Sequence, residues 1–179
     1  DAVTVAQGKS IVDATSINTV TFTTGVNDSL SNLTDNDNST SDNLDATIAK
    51  QSNIAIVISD SDIGGGNVAK VNSIAAATAG VVTGTISGTE VQLDDLSTLD
   101  TDAITMTVTG SEINIDQFEI LNGLTSEVPS LSCGISDTIA NISPGGTNTS
   151  GFTAAVGELS SVDVTITGTN PTITEINTV

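Results

Sequence analysis

Residues 83–99, TGTISGTEVQLDDLSTL, align with residues 105–121, TMTVTGSEINIDQFEIL, at an offset of 22 positions. Gly88 then matches Gly110, Glu90 matches Glu112, Leu96 matches Phe118 and Leu99 matches Leu121. The first part of each copy alternates hydroxyl and apolar residues, the period of a strand with one buried face. The second part carries apolar residues at wider spacing, which suits one face of a short helix. A strand followed by a helix, twice over, is the signature of a repeat array.

The same signature recurs along the chain. A β-rich run ends in Ser or Thr followed by Gly or Asp, at Thr24-Gly25, Ser59-Asp60, Ser87-Gly88, Thr109-Gly110, Ser136-Asp137 and Thr167-Gly168. That makes six copies with spacings of 22 to 35 residues. The apolar sets are Val20/Phe22, Ile54/Ile56/Ile58, Val82/Ile86, Ile104/Met106/Val108, Leu131/Cys133/Ile135 and Val162/Val164/Ile166. The opposite set is mainly hydroxyl: Thr19/Thr21/Thr23, Thr83/Thr85/Ser87, Thr105/Thr107/Thr109, Ser132/Ser136 and Thr165/Thr167, with Ala55 and Val57 breaking the rule. Between the strands, four groups suit helix faces: Val68/Val71/Ile74/Ala75, Val91/Leu96/Leu99, Ile113/Phe118/Leu121/Leu124 and Phe152/Ala155/Val156/Leu159.

A strand that reaches the next strand through a helix makes a parallel crossover. The expected fold is therefore a β-rich repeat solenoid of about six strand-plus-short-helix coils with one parallel sheet. An all-β antiparallel sandwich is the alternative. Residues 1–179 read as a single repeat-array domain, and 34–46 (TDNDNSTSDNLDA), almost without apolar residues, as an acidic solvated loop.

Composition narrows the function. Three Lys and no Arg or His stand against 22 acidic residues, for a net charge of −19. Nucleic acid needs cations to neutralise its phosphates, and anionic membranes repel such a chain. Without His, the commonest general base and the commonest nitrogen ligand for zinc or copper are missing. There is no Trp or Tyr to form a sugar platform. No apolar run of about 20 residues marks a membrane span, and no leader segment is visible. The chain opens on Asp1, as a processed chain or a piece of a longer one does. Its one cysteine, Cys133, lies in an apolar-alternating run and reads as a small buried hydrophobe.

Three groups of candidate site residues follow. Asp35 and Asp37, in Asp35-Asn36-Asp37-Asn38-Ser39, place carboxylate and amide oxygens at alternating positions, as a calcium loop does. Asp60 and Asp62 form a second pair, and Asp94, Asp95, Asp100 and Asp102 form further ones. Thr40 and Ala46 stand where an EF-hand has Gly and Glu, so the cofactor these residues suggest, calcium, is expected outside that motif. Asp and Asn also occupy turns and caps for local hydrogen bonding. The second group is the hydroxyl face: Thr83, Thr85, Thr105, Thr107, Thr109, Thr165 and Thr167. The third is five Asn-X-Ser/Thr sequons, at Asn27, Asn32, Asn38, Asn141 and Asn148, of which chance yields several in a chain this rich in Asn, Ser and Thr.

Residues 135–142, ISDTIANI, resemble the "I-S-D-T-A-A-N-L" element of tandem repeats in giant secreted surface proteins of cyanobacteria. Residues 5–15, VAQGKSIVDAT, look like the "V-A-Q-A-x-x-L-x-A-A-T" helix of the same repeats. The resemblance implies an adhesin-like or cell-surface module and carries no catalytic residues. The irregular spacing and the acidic loop depart from that pattern.

The expected function is a non-enzymatic, secreted structural protein. It is a building block of a cell-surface layer, adhesin or self-assembling filament, with self-association as its main partnership. A calcium-stabilised adhesion module binding a glycan or another cell is the alternative. Ice binding through the Thr/Ser face is a minor one. No nucleic-acid partner and no membrane insertion are expected.

Overall fold

Among the described residues every strand pairing is parallel, and the strands follow one another in space nearly as they do in sequence. The computed structural model describes residues 1–17, 19–157 and 163–168. In chain order the elements are α1 (Val5–Asp13), β1 (Val26–Asp28), α2 (Leu30–Leu33), α3 (Asp42–Ile48), β2 (Ile56–Ile58), a 3₁₀ turn (Gly65–Asn67) leading into α4 (Val68–Ala77), β3 (Val82–Gly88), α5 (Glu90–Leu93), β4 (Ala103–Val108), β5 (Glu112–Ile113), α6 (Ile115–Asn122), β6 (Ser130–Leu131), β7 (Gly134–Thr138), α7 (Ile139–Ile142), a second 3₁₀ turn (Pro144–Gly146), α8 (Ser150–Gly157) and β8 (Val164–Thr167). The fold is mixed α/β with open, parallel sheets.

The strands form two sheets rather than the single one expected. Five strands run β1-β2-β3-β4-β6 and three run β5-β7-β8. The split has a local cause. The run that starts as β4 is interrupted at Thr109–Ser111 before it resumes as β5, and the next run is interrupted at Ser132–Cys133 between β6 and β7. The antiparallel sandwich is ruled out for the described residues, whose one antiparallel contact is the isolated bridge between Thr34 and Thr40.

Alternation places the core. Ile54, Ile56, Ile58, Val82, Ile86, Ile104, Met106, Val108, Leu131, Cys133 and Ile135 are all buried, in one cluster with Val71, Ile74, Phe118 and Leu121 from the helices. Each fully buried aliphatic side chain contributes on the order of 1.5–3 kcal/mol before chain entropy is subtracted. Val164 and Ile166 are half-buried, while Val162 and Leu159 lie outside the described residues.

Several sequence expectations need correction. In the first copy the strand follows Gly25 rather than preceding it. Thr19, Val20, Thr21, Phe22 and Thr23 are irregular, with the Phe22 amide donating to Gln51 Oε1 at 2.5 Å. The 22-residue offset is not the structural one. Thr83 pairs with Ala103, 20 positions on, and Gly88 with Val108, whereas the helix caps Thr89 and Asn114 are 25 positions apart. Strand and cap repeat at different offsets because five residues, Thr109 to Ile113, stand between β4 and the cap Asn114 where none stands between β3 and Thr89. In α5 it is Leu93, not Val91, that turns inward. Val91 is 75% exposed and Leu99 45%, because the cap at Thr89 fixes the helix start and puts Leu93 on the buried side.

The stretch 34–46 also divides. Residues 35–39 form a short exposed loop closed by the Thr34–Thr40 bridge, and α3 begins at Asp42. Ser41 caps that helix, Asp42 and Asp45 sit in its first turn where the dipole favours negative charge, and Leu44 and Thr47 are buried. Thr47 packs on Gly8 of α1, where an added Cβ would lie 2.9 Å from Thr47 Oγ1.

Candidate interaction surface on the hydroxyl face

The parallel register turns alternate residues of each strand into ranks across the sheet. Thr85 stands beside Thr105, and Ser87 beside Thr107, which stands beside Ser130. In the smaller sheet Ser136 pairs with Thr165 and Thr138 with Thr167. Neighbours in a rank are about 4.8 Å apart. Thr83, Thr85, Thr107 and Thr109 are half-buried, and Thr105, Thr165 and Thr167 are exposed.

The ranks are not uniform. Thr165 donates from its hydroxyl to Glu112 Oε1 at 2.7 Å, reaching across β7. Ser87 donates to Asp62, which also accepts from the Gly64 amide at 3.2 Å. These bonds hold the exposed Asp62 carboxyl below the usual carboxylate range, the Ser87 hydroxyl being the larger cause. Ser132 donates to the Val108 carbonyl at 3.1 Å.

The four residues offered for calcium are placed as follows. Asp35 and Asp37 share the 35–39 loop, where Asp37 accepts from the Ser39 hydroxyl at 2.6 Å and the Ser39 amide at 3.1 Å. The hydroxyl is the main reason its carboxyl titrates low. Asp60 is turned to the Leu30 amide at 2.6 Å. Asp62 is turned to Ser87. Among the described residues no three His, Cys, Asp or Glu side chains converge on one point.

The sequons differ sharply. Asn32 and Asn141 each donate their side-chain amide to an aspartate four residues earlier, Asp28 and Asp137, at 2.7 and 2.8 Å. Asn27 is exposed in β1, Asn38 is exposed at the loop tip with φ of 68°, and Asn148 is half-buried. Cys133 is buried and its thiol is pushed up by burial.

A second constellation was not anticipated. Asp28 accepts from the Val5 amide at 3.0 Å, Asp60 from Leu30 at 2.6 Å and Asp137 from Ile115 at 3.0 Å. Val5, Leu30 and Ile115 are the first residues of α1, α2 and α6. Each carboxylate thus comes from the next strand-bearing layer and satisfies one orphan donor of a helix start. In α1 and α6 the cap amide and the third helical amide are held by reciprocal capping boxes, Thr4–Gln7 and Asn114–Gln117. The signal was present in DSLSNL (28–33) and DTIANI (137–142), which share Asp, hydroxyl and Asn at the same places.

No family model, curated protein or solved structure matches this chain. No helix among the described residues is long and apolar enough to cross a membrane.

Proposed function

We propose that the chain is a non-enzymatic extracellular structural protein, a solenoid of about six coils that serves as a building block of a cell-surface layer, adhesin or filament. One observation carries this reading: the sheets are ordered essentially by sequence, layer upon layer, all parallel. In such an array each layer contacts its neighbours, and the outermost layers present strand edges on which a further layer can form. The resemblance of residues 135–142 to repeats of secreted surface proteins points the same way.

Negative-stain imaging of the purified protein, across salt and calcium concentrations, tests the assembly. Elongated particles that lengthen with protein concentration are expected. Dispersed monomers under every condition remove the filament reading.

A glycan-binding adhesion role is the second reading, favoured by the hydroxyls of Thr83, Thr85, Thr105 and Thr107 on β3 and β4, for which no side-chain hydrogen bond is formed within the described residues, Thr85 and Thr105 standing directly in register.

A further inference from the structure

We infer that Asn122–Gly123, at the C-terminal end of α6, is a latent modification site. Its asparagine converts to aspartate or isoaspartate without an enzyme, and the last turn of α6 gates the reaction. The inference is independent of the assembly reading above.

The sequence holds one Asn-Gly pair, and it is this one. Glycine has no Cβ to hinder its nitrogen in attacking the carboxamide before it. The Gly123 nitrogen loses its proton and adds to Asn122 Cγ. An N–Cγ bond forms, the Cγ–Nδ2 bond breaks, and ammonia leaves. Water then opens the cyclic imide at either carbonyl, giving aspartate or β-linked isoaspartate. Nothing is oxidised or reduced, and water is the only co-reactant.

The fold holds the reacting atoms apart. Asn122 is the last residue of α6, and helical ψ keeps the next nitrogen away from Cγ. The Gly123 amide donates to the Glu119 carbonyl at 3.2 Å and to the Ile120 carbonyl at 3.0 Å. Attack requires these bonds to break and ψ to turn. Two other asparagines precede a serine, and both pairs are tied by side chains. Asn72 donates to the Asp95 carbonyl at 2.8 Å and accepts from the Ser97 amide at 2.7 Å. After Asn38, the Ser39 amide donates to Asp37 Oδ1 at 3.1 Å. At Asn122 only the backbone of a helix end stands guard, and helix ends open at low free energy.

Conversion acts on the fold in one direction. Isoaspartate routes the main chain through Cβ and Cγ, so the Gly123 amide no longer meets the Glu119 and Ile120 carbonyls. Either product puts a negative charge at a helix C-terminus, where the dipole opposes it. The same helix holds Phe118 and Leu121 in the core, and the Thr98 hydroxyl donates to the Leu124 carbonyl just beyond it at 3.3 Å.

Incubation of the whole chain at mildly alkaline pH, with peptide mapping by mass spectrometry, tests this. In concentrated urea Asn122 is expected to convert ahead of every other asparagine. In the folded chain it converts about tenfold or more slowly. Gly123→Ala slows it in both states and keeps the fold, because an added Cβ lies 3.4 Å from the Ile120 carbonyl and the αR conformation accepts alanine. Leu124→Ala loosens the packing beside the turn and speeds conversion in the folded chain. Asp60→Ala, which removes the acceptor of the Leu30 amide on the β1–β2 side, leaves the rate unchanged. Both variants are compared where circular dichroism shows them folded. Equal rates in the folded and urea-unfolded chain, no acceleration by Leu124→Ala, or equal acceleration by both variants overturns the gate. Another asparagine converting first in urea overturns the site.

Discussion

The layer junction at Asp137 and the one at Gly110 stack helix starts of the same design on strands of the same direction, and they are fastened differently. At the first, the Asp137 carboxylate gathers three donors: the Ile115 amide at 3.0 Å, the Thr138 amide at 2.7 Å and the Asn141 side chain at 2.8 Å. At the second, the helix α5 also has Gln92 reaching back to its cap, the Thr89 amide donating to Gln92 Oε1 at 3.0 Å. The register that pairs Gly88 with Val108 puts Gly110 level with Glu90, the first residue of α5. Glycine has no carboxylate to offer, and it sits at φ of 127°. The sheet divides just there. A hydrogen bond to a charged group is worth about 1.5–3 kcal/mol net, so a carboxylate such as that of Asp137 adds on that order to the fastening of one layer to the next.

The β3–β4 layer is clamped at its other end. Asp102 is 1% exposed and accepts from the Val82 amide at 2.7 Å and the Leu99 amide at 2.9 Å. Val82 is itself fully buried, so its amide has no access to water once the carboxylate is gone. Asp102→Ala is expected to cost about 4 kcal/mol, combining two charge-assisted bonds and a stranded buried donor. Urea unfolding followed by circular dichroism reads this as a lower midpoint with an unchanged slope. A loss under about 1 kcal/mol would mean that strand pairing alone holds this layer.

Asp137→Ala is the matching test at the clamped junction and has the next largest effect, about 2–3 kcal/mol. Asp137 is 7% exposed, and two of its three donors, Thr138 and Asn141, belong to exposed residues, where water replaces it. The loss is shared with Asn141. Asn141→Ala costs about 1 kcal/mol, and the double variant costs less than the sum because both remove the same bond. Full additivity in that cycle would show that Asn141 and Asp137 act independently.

Much of this was readable in the chain, and the limits are instructive. Ile54/Ile56/Ile58 and Ile104/Met106/Val108 were placed inward correctly because a period of two is a local property of adjacent residues. The caps were harder. The alignment was drawn through Glu90 and Glu112, whereas the structure repeats Thr4, Ser29, Thr89, Asn114 and Thr138 as caps, with Gln or Asn three residues on. That pattern is short and polar, and a search led by apolar spacing passes over it. The bridging carboxylates depend on partners more than 20 residues away, as between Asp28 and Val5, so no local rule finds them. The partners of Asp60 and Asp62 lie as far off in sequence, at Leu30 and Ser87, so the hydrogen bonds of these two aspartates are equally hidden from a local reading. The division of the sheet was hidden because Gly110 seemed equivalent to Gly88, which the register pairs with Val108 instead.

Gly110 sharpens the comparison with the smallest effect. An added Cβ there meets only Thr89 Cγ2, at 3.8 Å, so space does not forbid a side chain. The φ of 127° does, because an L-residue is strained in that region by about 1–3 kcal/mol. Gly110→Ala is therefore expected to destabilise by about 1 kcal/mol, the low end applying because the backbone beside Ser111 is exposed and free to relax. Gly110→Asp brings a carboxylate to the level of Glu90, yet it carries the same strain and faces the carboxylates of Glu90 and Glu112. It is expected to be no more stable than Gly110→Ala in the same urea titration. If Gly110→Asp instead proves more stable than the wild type, the missing carboxylate, and not the backbone conformation, is what separates the two junctions.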